Sequence, residues 1–352
     1  MRHITRLTLI LAAILLVITA GQAQDKLFTQ AFAHPLDINP AFAGAIDGRY
    51  RVTIAYRDQW KQFIESPYTT FGVYGDVKII PNEQSGDYFG GGFSLIADRT
   101  AIYNVNQNIL SLFGAYHKAL NEHKRKYLSA GFSLGVAQRN MNYENIYFND
   151  QFDGLDQYSL NTSEILPANN FAIMDIGVGV SYRSSLNKYS NLSFGVAVDH
   201  LTGPSISFYT HTIEPDPLIP DIKMYQKFTT FLSLELASDQ YVSFLPRFIW
   251  QKEGPYQMFS AAAVVKFDIT NHDTKALHLG AGIRLNQSHD AAIKPTAVYG
   301  MVAYEMEGLL IGLSHDVTLS NLSALAPARG AFELSISYTG FYDNINAMCP
   351  TF

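Results

Sequence analysis

The chain has 352 residues, and its 25 lysines and arginines against 31 aspartates and glutamates give a formal net charge of -6. This acidic balance argues against a nucleic-acid partner, because phosphates repel a negatively charged protein. Tyrosine, phenylalanine and glycine number 21, 23 and 25, whereas charged residues make up only 16% of the chain, fewer than the roughly 25% of soluble domains. This mixture is typical of transmembrane β-barrels.

The chain opens with the pattern of a secretory signal peptide. Arg2 and Arg6 precede an apolar run that is followed by the small residues Gly21 and Ala23, as a signal peptidase requires. The run is shorter than the roughly 20 residues of a membrane-spanning helix, and no other stretch comes close. We therefore predict an exported chain without a transmembrane helix, divided into a cleaved signal peptide (1–23), an N-terminal arm (24–48), a β-barrel (49–339) and a C-terminal tail (340–352).

Alternation of apolar with small or polar residues marks the strands. A strand of a membrane barrel spans about 10 residues, with one face toward lipid and the other toward the lumen. The pattern runs without a break from Leu128 to Ala137. The same search gives 14 candidate strands, at 49–58, 68–78, 88–98, 104–117, 127–139, 170–183, 191–201, 224–237, 241–251, 257–268, 276–286, 292–305, 309–317 and 330–339.

The predicted fold class is therefore all-β, a transmembrane outer-membrane barrel of about 14 antiparallel strands with short periplasmic or luminal arms at both ends. A soluble multi-strand β protein would also show alternation, but the export signal and the glycine and aromatic content favour the barrel. An even strand number returns both termini to the periplasm. The two longest connections, 140–169 and 202–223, then lie outside the cell.

Charged residues in the first strands predict a polar network in the lumen. Arg51 and Arg57 alternate with aromatic and aliphatic residues of the first strand, and Asp76 occupies a luminal position of the second. Buried charges must be paired, so we expect these side chains to narrow the interior. The N-terminal arm keeps several apolar residues that water would solvate poorly, and we expect it to plug or brace the barrel.

The external connection 140–169 is the first candidate site for a partner. It carries five aromatic residues, namely Tyr143, Tyr147, Phe148, Phe152 and Tyr158. Exposed aromatic rings beside flexible polar residues are common in protein-binding surfaces. The alternative is that these rings fold inward and occlude the pore, as loops of porins do. Aspartates of the same loop could ligate calcium, but their spacing does not match a calcium-binding loop.

Catalytic chemistry has little support in the sequence. The HExxH, CxxC and phosphate-loop patterns are absent, so we expect neither an enzyme nor a bound cofactor or metal. Ser314 and His315 are neighbours within one strand and therefore point to opposite faces. His200 closes the lipid-facing series of its strand and is interpreted as a residue of the outer interface.

Several short motifs carry a resemblance to a known family. QDKLFTQ at 24–30 is followed by PL at 35–36 and NPAFAG at 39–44, and then by RYRV at 49–52, YRDQW at 56–60 and PYTT at 67–70. Further matches are VDHL at 198–201, FELSISY at 332–338 and CPTF at 349–352. Together they resemble the PorP/SprF family of Bacteroidota over nearly the whole mature chain.

This resemblance implies a part in the type IX secretion system, which exports proteins across the outer membrane and drives gliding motility in some of these bacteria. The partners it implies are a secreted surface adhesin, or its C-terminal signal, and periplasmic components of the secretion machine, with outer-membrane lipid around the barrel. Some members of the family resemble core machine parts and others serve one adhesin. The alternative function, from the fold alone, is an outer-membrane porin or specific transport channel.

Overall fold

The chain folds into a closed antiparallel β-barrel around its own N-terminal arm. The computed structural model describes residues 28–60, 67–80, 85–100, 105–123, 125–144, 146–187, 190–211, 221–237, 241–269, 275–287, 292–319 and 330–340. Within these ranges the strands are β1 (Tyr50–Gln59), β2 (Tyr68–Ile79), β3 (Tyr88–Thr100), β4 (Val105–Ala119), β5 (Lys126–Met141), β6 (Asn170–Ser185), β7 (Asn191–Asp199), β8 (Lys227–Ala237), β9 (Val242–Glu253), β10 (Tyr256–Asp268), β11 (Lys275–Gln287), β12 (Ile293–Met306), β13 (Leu309–Thr318) and β14 (Gly330–Gly340).

Each strand pairs with its neighbours along the chain, and β1 closes the barrel against β14, with Arg57 opposite Glu333. The prediction of an all-β barrel with 14 antiparallel strands is thus confirmed. The predicted signal peptide and the C-terminal tail beyond Gly340 lie outside the described residues. No helix among the described residues has the length and apolar character needed to cross a bilayer.

Side chains alternate between an outer apolar face and an inner face of small and polar residues. On β5, Phe132 is 52% exposed, whereas Ser129 is 1% exposed. On β1, Val52 and Ile54 point outward, and Thr53 between them is buried. The outward-facing apolar side chains form a belt around the barrel. Exposing this belt to water would have a large free-energy cost, so the hydrocarbon of a membrane surrounds it.

The two rims of the barrel differ in the length of their connections. The long connections join β5 to β6 and β7 to β8, and both begin at the rim reached by the odd-numbered strands. At the opposite rim, Glu307 and Gly308 join β12 to β13 in a two-residue turn in which both have a positive φ, 49° and 84°. Short turns face the periplasm in such barrels and long loops face outward.

Strand β7 is shorter than its alternation predicts. It ends at Asp199 and β8 begins only at Lys227, whereas the predicted strands reach 201 and begin at 224. The cause is the backbone of His200, whose φ of 60° turns the chain out of the extended conformation. The chain between these strands therefore belongs to an external loop.

Residues 28–48 run through the inside of the barrel rather than along its rim. They form three single-turn 3-10 helices, Ala31–Ala33, Pro35–Asp37 and Pro40–Phe42. Proline begins the second and third of them, where its missing N–H costs no hydrogen bond. The core of the molecule lies where this arm meets the inner wall.

Two apolar clusters hold the arm in place. Phe28 and Leu36 pack with residues of β1 to β4, including Tyr74. Ile38 and Phe42 pack with two residues of the opposite wall, Phe231 and Ile249. Full burial of each such side chain contributes about 1.5–3 kcal/mol, so the arm has its own share of the stability of the fold.

Candidate functional site

A buried ionic cluster lies in the lumen at the seam between β1 and β14. Arg57 on β1 donates to Asp316 at 3.0 Å and to Glu333 at 3.1 Å. Arg284 on β11 donates to the same Asp316 oxygen at 3.1 Å. All four residues are buried. Two guanidinium groups face two carboxylates, so the cluster satisfies the rule that charges removed from water must be paired.

This cluster binds the start of the N-terminal arm. The backbone N–H groups of Thr29 and Gln30 donate to the two carboxylate oxygens of Glu333 at 2.8 and 2.7 Å. The Thr29 hydroxyl donates to Asp316 at 2.7 Å and accepts from Arg57 at 2.8 Å. Hydrogen bonds to charged groups are about twice as strong as neutral ones. The arm is therefore fixed to the wall by charge-assisted hydrogen bonds as well as by apolar packing.

The three residues of the predicted luminal network fall into two places. Arg51 and Asp76 form a bidentate ion pair, with both nitrogen to oxygen distances at 2.9 Å. One oxygen of Asp76 also accepts from the backbone N–H of Gly44 in the arm at 2.9 Å. Arg57 contacts neither of them and belongs to the ionic cluster of the seam. Both groups hold the arm, one near its start and one near its end.

Asn39 fixes the middle of the arm. Its side-chain oxygen accepts from the N–H of Ala41 and caps the third 3-10 helix, while its amide nitrogen donates to the carbonyls of Val180 and Val196 at 3.1 and 2.9 Å. A Cβ atom at Gly179 would lie 2.1 Å from the Asn39 oxygen. Only glycine permits this close approach of arm and wall.

The end of the arm rests on His117. One ring nitrogen of this buried residue lies 2.7 Å from the carbonyl oxygen of Ala43, and the other lies 2.7 Å from the Ser129 hydroxyl. The ring of Tyr88 stacks on the His117 ring, with centroids 4.1 Å apart. A Cβ atom at Gly90 would lie 1.7 Å from the Ala43 oxygen, so this contact also depends on glycine.

Sequence reasoning identified Arg57 but missed three of its cluster partners, Arg284, Asp316 and Glu333. Each is buried at an inward position of an alternating strand and has one exposed apolar neighbour, namely Ile283, Val317 and Phe332 respectively. A charged residue at such a phase is a signal for the lumen, and applying it to every strand would have found them. Their partnership with one another depends on barrel closure, which brings β1 beside β14.

Two serine arrangements in the sequence could suggest catalysis, but neither has the geometry of a catalytic site. Ser314 is buried in the lumen, while the neighbouring His315 points outward. Residues 131–135 read Gly-x-Ser-x-Gly, but they lie inside β5 and not at the strand-to-helix turn that exposes a nucleophilic serine. Among the described residues, no group of three His, Cys, Asp or Glu side chains could hold a metal ion.

The outer half of the lumen is covered by the loop between β7 and β8. Ile206, Phe208 and Met224 of this loop pack on Phe171 and Ile173 of β6, and the rings of Phe171 and Phe208 meet edge to face with centroids 4.9 Å apart. A cavity of about 120 Å³, which we call the outer luminal cavity, remains between this loop and the arm. The loop that folds inward is thus not the aromatic loop that the sequence suggested as an alternative.

His200 does not lie at the lipid interface as the alternation indicated. It is 6% exposed, lines the outer luminal cavity and has its Nδ1 atom 2.8 Å from Asp175. Alternation predicts opposite faces only for extended residues. The positive φ of His200 breaks that rule, and Asp199 and His200 both line the cavity.

The predicted aromatic residues of the β5–β6 loop lie mostly on its surface. Tyr147 is 62% exposed, and the rings of Tyr147 and Phe152 each lie 5.4 Å from the ring of Tyr158. Tyr143 and Phe148 are half-buried. Two aliphatic side chains, Leu155 and Ile165, are also strongly exposed. We call the three clustered rings and these two side chains the external apolar patch.

Carboxylates of the same loop support its shape. Asp150 accepts hydrogen bonds from the N–H and the hydroxyl of Ser163, and these bonds lower the pKa of its carboxyl group. Asp153 accepts from the backbone N–H groups of residues 155–157, which lowers its pKa as well. Burial raises the pKa of Tyr143, whose hydroxyl donates to the carbonyl of Pro167 at 3.2 Å. The carboxylates of Asp150 and Asp153 are thus engaged in hydrogen bonds within the loop.

Comparisons with known proteins agree with this architecture. A family model described as "Type IX secretion system membrane protein PorP/SprF" matches residues 20–338. The barrel is similar to a solved Pseudomonas aeruginosa FadL homologue, with a TM-score of 0.50 and 13% identity, covering 86% of this chain and 92% of that one. It is also similar to the deltaS2 mutant of the TodX monoaromatic hydrocarbon channel, with a TM-score of 0.50 and 9% identity, covering 86% and 93%. No curated protein matches the sequence.

A closed barrel with an apolar outer belt and a charged, filled lumen defines an integral outer-membrane β-barrel protein. At the identities above, the solved structures show this fold alone. The family match covers nearly the whole chain. The protein belongs to the PorP/SprF family of type IX secretion system membrane proteins, as the motifs along its sequence predicted, and it resides in the outer membrane.

Proposed function

We propose that this protein anchors a secreted surface adhesin, or its C-terminal signal, at the outer face of the membrane and contacts periplasmic components of the type IX secretion system at the inner face. The external apolar patch is the observation that carries the outer half of this proposal. Leu155 and Ile165 are 85% and 88% exposed. Apolar side chains at such exposure, in the same external loop as three clustered aromatic rings, favour a surface that another protein covers.

The composition of the patch suits protein recognition. Tyrosine and phenylalanine offer large contact areas and lose little side-chain entropy when they bind. The loop that presents them is held by the hydrogen bonds of Asp150 and Asp153, so a partner would meet a largely preformed surface. The filled lumen also supports anchoring, because the arm occupies the space that a wide diffusion channel needs.

The test is co-purification from mildly solubilised outer membranes. We expect the tagged wild-type chain to bring down a large secreted surface protein together with type IX components. A variant with Tyr147, Phe152 and Tyr158 changed to serine should lose the surface protein and keep the periplasmic components. Tyr241→Ser removes an exposed aromatic residue at the periplasmic end of β9 and serves as the control. A solitary barrel in the wild-type preparation, or equal recovery by the triple variant, would contradict the proposal.

The second candidate function is that of a channel for small apolar or amphipathic molecules. The outer luminal cavity favours it, since Ile249, Met258 and Met301 line this space beside Arg247. Conductance in a planar bilayer discriminates between the two functions. Anchoring predicts a closed wild-type barrel, and a steady conductance of the intact chain would favour the channel.

A further inference from the structure

A second and larger cavity opens at the periplasmic rim. Its volume is about 910 Å³, in the upper part of the range of about 300–1,000 Å³ for ligand pockets. Residues 45–47 at the end of the arm line its inner side, and Arg125 and Gly308 in two periplasmic turns line its mouth. We call this space the periplasmic vestibule.

The walls of the vestibule carry an excess of positive charge. Its lining contains two carboxylates, Asp47 and Glu305, and five cationic side chains, those of Arg51, Lys78, Arg125, Arg183 and Lys266. Arg51 is paired with Asp76, and Lys266 lies 3.3 and 3.6 Å from two carboxylates. Within the described part of the chain, the other three cations have no carboxylate within 4.0 Å. Among the described lining residues, Asp47 is the carboxylate left to balance these three charges, so an excess of positive charge remains.

Two of these cations meet around one aromatic ring. The Lys78 ammonium lies 4.8 Å from the centre of the Tyr88 ring, and Arg183 donates to the hydroxyl of the same tyrosine. The Nε atom of Arg183 is buried and has no hydrogen-bond partner among the described residues. The positive charges of Lys78 and Arg183 repel each other, and a bound anion would reduce this repulsion. The same anion would accept a hydrogen bond from the buried Arg183 nitrogen, whose desolvation is costly without a partner.

The walls of the vestibule limit which kind of anion can enter it. All strands of the barrel are hydrogen-bonded to both neighbours, so a lipid headgroup has no entry from the side. The arm separates the vestibule from the outside, and Lys78 donates to the carbonyl of Ile46 in this partition at 2.5 Å. A lone phosphate would fill little of the volume. Hydroxyl groups that can pair with a peptide backbone surround the charges, from Ser184, Ser185, Ser193, Ser337 and Thr339.

We propose that the periplasmic vestibule binds an acidic peptide segment of a periplasmic protein, with carboxylates on Arg125, Arg183 and Lys78. This inference names the chemistry of the periplasmic contact and in that sense rests on the proposed function. Its test uses the inner face alone, so a failure here leaves the external apolar patch untouched, and loss of adhesin binding leaves the vestibule untouched.

The experiment is calorimetric titration of the full chain in lipid nanodiscs with a synthetic peptide, Gly-Asp-Glu-Gly-Glu-Asp-Gly-Ser. The matched peptide carries asparagine and glutamine in place of the acids. We expect the acidic peptide to bind at least about tenfold more tightly, and Arg125→Gln and Arg183→Gln each to weaken its binding by about tenfold, as loss of one charge-assisted hydrogen bond predicts. Raising the salt concentration should weaken binding further.

Lys118→Gln is the matched control, because Lys118 lies near the same rim but is exposed and paired with Asp87 at 2.7 Å. Arg125 is exposed in a turn, so its variant tests the charge without disturbing the core. Equal binding of the two peptides, or equal weakening by the control, would overturn the proposal. A soluble muropeptide that displaces the acidic peptide at lower concentration would also overturn it and assign the vestibule to cell-wall fragments.

Discussion

Replacement of Glu333 by glutamine should release the start of the arm while the barrel stays closed. The carboxylate accepts the N–H groups of Thr29 and Gln30 and pairs with Arg57. Glutamine keeps the shape and one acceptor oxygen but removes the charge, which leaves a buried guanidinium with Asp316 as its remaining anionic partner. Breaking such a buried pair costs about 3–5 kcal/mol, and we take the lower figure because the substitution is isosteric.

Hydrogen–deuterium exchange of peptides covering residues 28–33 measures this release. A loss of about 3 kcal/mol in local opening free energy corresponds to exchange roughly 100-fold faster. Glu235→Gln is the control, since the Glu235 carboxylate on β8 accepts a hydrogen bond from Asn191 of β7 rather than from the arm. Unchanged exchange of the arm in a folded Glu333→Gln barrel would mean that apolar packing alone holds it, and the argument from the ionic cluster would be wrong.

Two further predictions concern the arm and the external loop. Gly90→Ala places a methyl group 1.7 Å from the Ala43 oxygen and should lower the unfolding free energy by about 1–3 kcal/mol, whereas Gly300→Ala, with nothing within 4 Å, should leave the thermal unfolding midpoint nearly unchanged; equal midpoints would refute the close contact. Hydrogen bonds from Ser163 lower the pKa of Asp150, so its contribution to loop order is present above the ordinary pKa of about 4 and is lost as the pH falls through the lowered value. Exchange of residues 160–165, corrected for intrinsic rates, should stay slow from pH 7 to 5 and rise below about pH 4, and Asp150→Asn should already be fast at pH 7; protection that survives in this variant would contradict the assignment.

The wall of the barrel follows from the sequence because its physics is local. Lipid on one face and a filled lumen on the other impose a period of two on each strand, and this period is visible in β5 without any knowledge of its neighbours. The pattern fails at single residues that leave the extended conformation. His200 is the clearest case, since its positive φ turned a predicted interfacial residue into one that lines the cavity.

The contents of the lumen could be predicted only in part. The apolar residues of the arm indicated burial, but not that Asn39 would reach two wall carbonyls that lie at opposite positions of a strand pair. Such contacts depend on a register set by every strand around the ring. The aromatic residues of the external loop were likewise visible, while their exposure depends on which of two long loops folds over the lumen, and local sequence does not decide this.

The ionic cluster at the seam joins the two ends of the described chain. Thr29 stands almost at its start and Glu333 lies in its last strand, a separation of 304 residues, and Arg57 and Glu333 are also the facing residues where the barrel closes. Contacts this distant in sequence form late in folding, because the loop-closure entropy is lost before they contribute. The arm therefore reaches its final position only when the ring is complete, and a chain truncated after β13 would lack the Glu333 carboxylate that binds both Arg57 and the start of the arm. The N-terminal arm docks fully only after β14 has paired with β1 and β13. A complete barrel therefore differs from an incomplete one because its lumen holds the arm in a fixed position.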